Sequence, residues 1–254
     1  MDTQDTKLKN QTLTFSARTL GKTETTIWKA AETAVIICDM WDKHTCKSAE
    51  RRVGEIAPKI NTFIKKMRQA GVLIIHAPSS VMGFYEGTPE RELAKNAPFV
   101  KAQVPLDWND LDESREDKYP VDDIDWCDDT PKCPIAEIEA TEAWPWTRQN
   151  VAIDILLGDA VSDNGQQIYN LLESRGIKNI IMTGVHLNRC VLGRPFGIRQ
   201  MVKFGKNVIL ARDLTDGLYD PRQWPYVSHK EGVELLVTHV EKYWCPSVKS
   251  SEIS

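Results

Sequence analysis

Short apolar runs alternate with amphipathic stretches along most of the chain. Thr33–Met40 (TAVIICDM) is apolar on every side, long enough for a strand and too short for a helix. Ser48–Gly71 follows with Val53, Ile56, Ile60, Phe63, Ile64 and Met67 at helical spacing, and Gly71 sits where a C-cap glycine belongs. The alternation continues with predicted strands at Val72–Pro78, Val151–Leu157, Asn179–His186 and Asn207–Leu214. Helices are predicted over Gln166–Arg175, Cys190–Phe204 and Ser228–Trp244, two of them stopped by Gly176 and Gly205. Strands apolar on both faces, each followed by a helix, predict a parallel sheet with right-handed crossovers.

Two stretches break the rhythm. In residues 11–30, Leu13, Phe15 and Ala17 alternate with polar positions, as in an added β element. Residues 79–150 form a long insertion rich in Pro, Trp and acid, placed to act as a lid over the sheet. Its acids Asp122, Asp123, Asp125, Asp128 and Asp129 fit no EF-hand spacing and read as a solvated loop. The expectation is one α/β domain over residues 1–254. Its three-layer α/β/α core has a mainly parallel sheet, with the N-terminal extension and the insertion added.

Composition narrows the function classes. The 254 residues are 41% hydrophobic, enough for a sizeable core, and carry a formal net charge of −4. That charge offers no footprint for nucleic acid or an anionic membrane, and no run is apolar enough to span one. The polar start Met1–Asn10 lacks an apolar signal core, so no signal peptide is expected and the compartment is left open. Six cysteines are too few for a disulfide scaffold. Cys38 reads as a small core residue, and Cys127 and Cys133 are near enough in sequence to pair.

Three predicted strand ends carry chemistry. The first ends in Asp39, with Asp42, His44 and Cys46 just beyond; the second carries His76; the fourth leads through Thr183-Gly-Val-His-Leu-Asn-Arg to Cys190. In open parallel sheets, sites collect at these carboxyl ends. A cysteine at a helix N-terminus has its thiolate favoured, and the same backbone N–H groups can hold an oxyanion. Asp39 is the candidate base. The competing reading is that Cys190 merely packs helix on strand.

The blocks TAVIICDMWD (33–42) and IIMTGVHLNRCVLGRPFGIRQMVKFGKNVILARDLTDG (180–217) resemble the isochorismatase-like cysteine hydrolases, which include nicotinamidases and N-carbamoylsarcosine amidohydrolases. The resemblance implies Cys190 as nucleophile, Asp39 as general base and a cis Val185–His186 peptide. It also implies an oxyanion hole from the His186 and Cys190 N–H groups, and a C–N bond as the target. The triad lysine of that superfamily has no counterpart, because no lysine lies between Lys132 and Lys178. Arg148, immediately before the third predicted strand, is the expected substitute, with Lys43 and His44 as rivals. Arg194 and Arg199 are read as binding a substrate carboxylate or pairing with acids.

Asp42, His44 and His76 are expected to contact substrate. No cofactor is expected; the alternative is a metal-assisted hydrolase in which Asp42, His44 and His76 or Cys46 hold a divalent ion. A third reading keeps the fold as a binding protein without turnover. A small molecule is the expected ligand, and a homo-oligomer the expected assembly, resting on the resemblance and on Trp and Tyr in the C-terminal region.

Overall fold

The computed structural model describes residues 11–122, 127, 128, 141 and 144–254. Its centre is one eight-stranded sheet in the order β2-β1-β8-β7-β6-β3-β4-β5. Strands β3 (Thr33–Cys38), β4 (Leu73–Ala77), β5 (Ala160–Val161), β6 (Asn179–Val185), β7 (Asn207–Asp216) and β8 (Ser247–Val248) are mutually parallel. The hairpin β1 (Thr12–Thr19) and β2 (Lys22–Lys29) joins antiparallel through β8. The fold class is as the alternating pattern predicts.

Alternate side chains of β3 feed two apolar layers. Val35 and Ile37 pack with α1 (Lys47–Gln69), through Val53, Ile60 and Ile64, and with Leu13 and Phe15 of the hairpin. Ala34, Ile36 and Cys38 face the other layer, where α3 (Gly165–Ser174) and α5 (His229–Tyr243) supply Ile168, Leu172, Leu236 and Val240. Burying each such aliphatic side chain is worth about 1.5–3 kcal/mol, which is why strands apolar on both faces are legible in sequence. No helix among the described residues is long and apolar enough to cross a membrane.

Two predicted elements differ. Val151–Leu157 is a turn and loop, with Val151 68% and Leu157 85% exposed; the strand at this edge is only Ala160–Val161. Its apolar residues mimic a buried run but lie beyond the sheet. The single helix expected over Cys190–Phe204 is instead a wide π-type turn over Leu187–Val191 and a short α4 (Ile198–Lys203). Pro195 cannot donate a helical hydrogen bond, and Gly197 enters α4 in an extended conformation, so the chain bends between them. Helix α2 (Pro89–Lys95) lies in the insertion and is capped by Thr88, which accepts from the Arg91 N–H. Of the Trp and Tyr residues near the C-terminus, Trp244 is buried whereas Trp224 and Tyr226 are exposed.

Candidate active site

The tips of β3 and β6 are pressed together. Gly184, at φ 107°, pairs beside Cys38 so closely that a Cβ would fall 2.0 Å from the Cys38 carbonyl oxygen. β3 stops at Cys38, and Asp39 follows at φ 51°, a left-handed conformation that Asp tolerates better than most residues. The Asp39 N–H still donates to Ala77 across 3.1 Å. β6 stops at Val185, whose peptide to His186 is cis, and the π-type turn begins. Arg189 and Val191 N–H groups both donate to the His186 carbonyl. Asn188 clamps the turn to Leu218, donating to its carbonyl at 3.0 Å and accepting its N–H at 2.9 Å.

These two tips bring Asp39 and Cys190 together. Asp39 is fully buried; its Oδ1 accepts the Ser79 N–H at 2.8 Å and its Oδ2 accepts Arg194 Nε–H at 2.9 Å. The Asp39 carboxylate and the His186 backbone N–H both act on the Cys190 thiol, the first raising and the second lowering its pKa. Burial first, and the Asp39 charge second, push the Cys190 thiol up to about 12 against the opposing pull of Arg194. The resting sulfur is thus a thiol. The expectation of a favoured thiolate needs correction, because burial and a neighbouring carboxylate outweigh what one helical turn offers.

The cation at this site is Arg194, not Arg148. Arg148 lies over the Phe84 ring at 5.3 Å, with its backbone N–H on Asp42. Arg194 sits one turn beyond Cys190, its N–H on the Cys190 carbonyl at 3.0 Å, which aims the guanidinium back at Asp39. The signal was in the sequence: positions 190 and 194 share a helical face. Its guanidinium is three-quarters buried, which works against the charge, and the Asp39 carboxylate outweighs that and holds it charged.

Above this cluster lies a cavity of about 370 Å³. One wall is a stack of three indoles, Trp41 on Trp146 at 4.2 Å and Trp146 on Trp144 at 4.6 Å. His44 and His186 meet edge to face at 4.7 Å beside it. Burial and the surrounding cations push the His186 imidazole well down, so it is neutral. Trp108 also lines the cavity, with the Arg194 guanidinium 5.4 Å over its ring, and so does exposed Arg189.

Two stretches of the insertion build these walls. Asp42 does not line the cavity; its carboxylate accepts the Thr147 N–H and hydroxyl at 2.9 and 2.7 Å and so fixes the segment bearing Trp146. The second stretch is held by Arg199, which donates to Glu116 and to the Asn109 carbonyl, while the Asn109 N–H donates to Gly193 beside Trp108. Glu116 also accepts from His239 and the Trp244 indole, both at 2.8 Å. Arg199 therefore pairs with an acid, and His239 is buried beside it.

His76 is not a cavity residue either. Its ring is buried between Gln149 Oε1 at 3.0 Å and Asp159 Oδ2 at 3.1 Å, and Asp159 is in turn clasped by Arg68. Asp42, His44 and His76 are thus kept apart. His44 Nδ1 accepts the Cys46 N–H, Cys46 donates to Asp128, and no cluster of three metal-binding side chains occurs among the described residues. These residues do not fit a divalent ion. Cys133, near enough in sequence to Cys127 to pair with it, and the acids Asp123, Asp125 and Asp129 lie outside the described residues.

No protein-family profile matches the sequence, and no curated protein sequence matches it significantly. Solved structures do match. A cysteine hydrolase from Pseudomonas syringae pv. phaseolicola 1448A superposes with TM-score 0.55 at 15% identity, over 89% of this chain and 92% of that one. An isochorismatase from Pseudomonas putida KT2440 superposes with TM-score 0.52 at 11% identity, over 88% and 91%. The chain has the isochorismatase-like α/β fold.

Proposed function

We propose that the protein is a cysteine hydrolase that cleaves a C–N bond of a small molecule through a thioester on Cys190. The observation that carries this reading is the buried Asp39 carboxylate, paired with Arg194 one turn beyond Cys190, beneath a cavity that Cys190 and Arg194 line. The names of the two similar structures, a cysteine hydrolase and an isochorismatase, support it.

With a thiol that rests protonated, attack and proton transfer are concerted. As the sulfur forms its bond to the substrate carbonyl carbon, Asp39 takes the thiol proton. The oxyanion is met by the His186 and Cys190 backbone N–H groups. Collapse breaks the C–N bond, and the amine leaves with the proton held by Asp39. Water, losing a proton to Asp39, then opens the thioester to a carboxylic acid and restores the thiol. Arg194 takes no proton in this sequence, since a guanidinium does not titrate in the working range. Its part is to hold the Asp39 carboxylate in place and oppose its charge.

Intact-mass analysis during exposure to a panel of small amides tests the proposal. An acyl adduct on Cys190, with amine release lost in Cys190→Ala and Asp39→Asn, is the expected result. Ligand binding with neither adduct nor amine release across the panel would leave a binding protein instead.

A further inference from the structure

The two edges of the sheet are finished differently. At one edge, β5 is two residues long and α2 lies against it, with Arg91 Nη1 donating to the Val161 carbonyl at 3.3 Å. At the other, β2 runs for eight residues and has β1 as its neighbour on one side alone. The β1–β2 register is unbroken from Thr12↔Lys29 to Thr19↔Lys22, so no bulge turns this edge aside, and β2 holds no proline. A long edge without such devices is a template for a further strand.

The hairpin decides which groups that edge presents. Leu20 and Gly21 form a two-residue turn, both at positive φ (42° and 79°), which makes Thr19 and Lys22 a hydrogen-bonded pair. The pattern then alternates, and the Ala30 N–H on the Gln11 carbonyl at 2.8 Å keeps the same phase. Lys22, Glu24, Thr26 and Trp28 thus bond to β1. Thr23, Thr25, Ile27 and Lys29 turn their backbone groups outward, and among the described residues no other backbone meets them. The Lys29 carbonyl accepts the Thr33 hydroxyl at 2.8 Å and keeps a second lone pair.

This edge is complementary to itself. Two copies laid antiparallel, with Thr26 facing the partner's Thr26 on a two-fold axis, put Thr25 opposite the partner's Ile27 and Thr23 opposite the partner's Lys29. Every outward N–H and C=O then has a partner. The two Ile27 side chains, each 64% exposed in the single chain, become diagonal neighbours on one face, flanked by the two Thr25. Lys22, Glu24 and Lys29 each face a neutral residue (Ala30, Trp28 and Thr23), so no like charges are opposed. A two-fold pair closes on itself, and the edges it leaves free are the short, covered β5 strands.

We propose that the protein is a homodimer in which two copies of β2 pair antiparallel about Thr26 and join their sheets into one.

Sedimentation of the full chain at micromolar concentration is expected to give a dimer. Thr25→Pro deletes an outward N–H and leaves the bonds to β1 in place, so it should sediment as a monomer with an unchanged circular dichroism spectrum. Thr26→Cys should cross-link under oxidised glutathione, because directly opposed side chains of a non-hydrogen-bonded pair lie within disulfide reach. The two thiols form an intermolecular disulfide and reduce one glutathione disulfide to two glutathiones, which a non-reducing gel reads as a dimer band. Thr23→Cys, opposite the partner's Lys29, should give no such band. A monomeric wild type, a dimer that survives Thr25→Pro, or Thr26→Cys cross-linking no better than Thr23→Cys overturns the proposal. Should Thr25→Pro fail to fold, the two cysteine variants decide.

Discussion

Arg194 Nε donates to Asp39 Oδ2 across 2.9 Å, from a position one helical turn beyond Cys190. The nucleophile and the cation that opposes the base's charge therefore ride on one short segment, and the base reaches both from another strand tip. A buried carboxylate stripped of its partner is costly, on the order of 3–5 kcal/mol. Arg194→Met is expected to lower thermal stability by that order, and Arg194→Lys to recover most of it while turnover stays reduced, because an ammonium lacks the fixed fork of a guanidinium. Melting curves and amide turnover of the two variants check this; equal stability of wild type and Arg194→Met would show that the pair holds nothing in place.

The same pair fixes how Cys190 reacts with alkylating agents. With the thiol pushed up to about 12, alkylation in wild type should climb with pH through neutrality and show no plateau below about pH 10. Asp39 raises this thiol and Arg194 lowers it. Asp39→Asn should consequently alkylate faster at pH 7 even as turnover falls by about 10²–10⁴, whereas Arg194→Lys should differ little. Arg148→Met should leave the profile unchanged, since Arg148 lies over Phe84. Peptide mapping of iodoacetamide adducts across pH reads all four.

What could be read from the sequence follows from what burial writes into it. β3, β4 and β6 are buried on both faces, so their runs are mainly apolar, with His76 and Thr183 as buried polar residues inside them, and Asp39 and Cys190 stand just past two of them. The pattern failed where apolar residues were not buried, at Val151, Leu156 and Leu157. It failed also where a local breaker outweighed helical periodicity, at Pro195 and Gly197. Arg148 was favoured by chain path, yet a path says only how near a backbone passes. Arg194 prevailed because the turn through Cys190 fixes its direction. His76 shows the converse: a strand-end histidine whose ring is consumed by Gln149 and Asp159 has nothing left for a substrate.

Glu116 gives the insertion a pH limit. Burial alone would raise this carboxyl, but His239, the Asp112 backbone N–H, Trp244 and the Arg199 charge outweigh it and bring it to about 2. A carboxyl depressed on folding contributes its stability above its ordinary value near 4.5, and loses it as pH falls from there towards 2. The contribution at neutral pH is on the order of 3 kcal/mol. Wild type should lose that increment between pH 4.5 and 2, relative to Glu116→Gln, which starts less stable and shows a shallower decline. Denaturation midpoints over this range test it, and parallel curves for the two proteins would remove Glu116 as the anchor.

Gly184 is the point on which the whole site turns. At φ 107° a side chain is strained whatever the space, and here there is none: an added Cβ would meet the Cys38 carbonyl oxygen at 2.0 Å and its nitrogen at 2.7 Å. Backbone cannot swing aside as the end of a lysine would, so β3 and β6 must separate at their tips, where Asp39 and Cys190 follow within one and six residues. Gly184→Ala is expected to destabilise the fold by at least about 3 kcal/mol and to be recovered chiefly in insoluble form. Gly176→Ala is the control. Its φ of 64° imposes a comparable backbone strain, but nothing lies within 4 Å of the new Cβ, and it sits at a helix end away from the site. It should cost about 1 kcal/mol and leave Cys190 alkylation unchanged. If Gly184→Ala folds with wild-type stability and an unaltered alkylation profile, the close approach of the two strand tips is not what sets Asp39 beside Cys190.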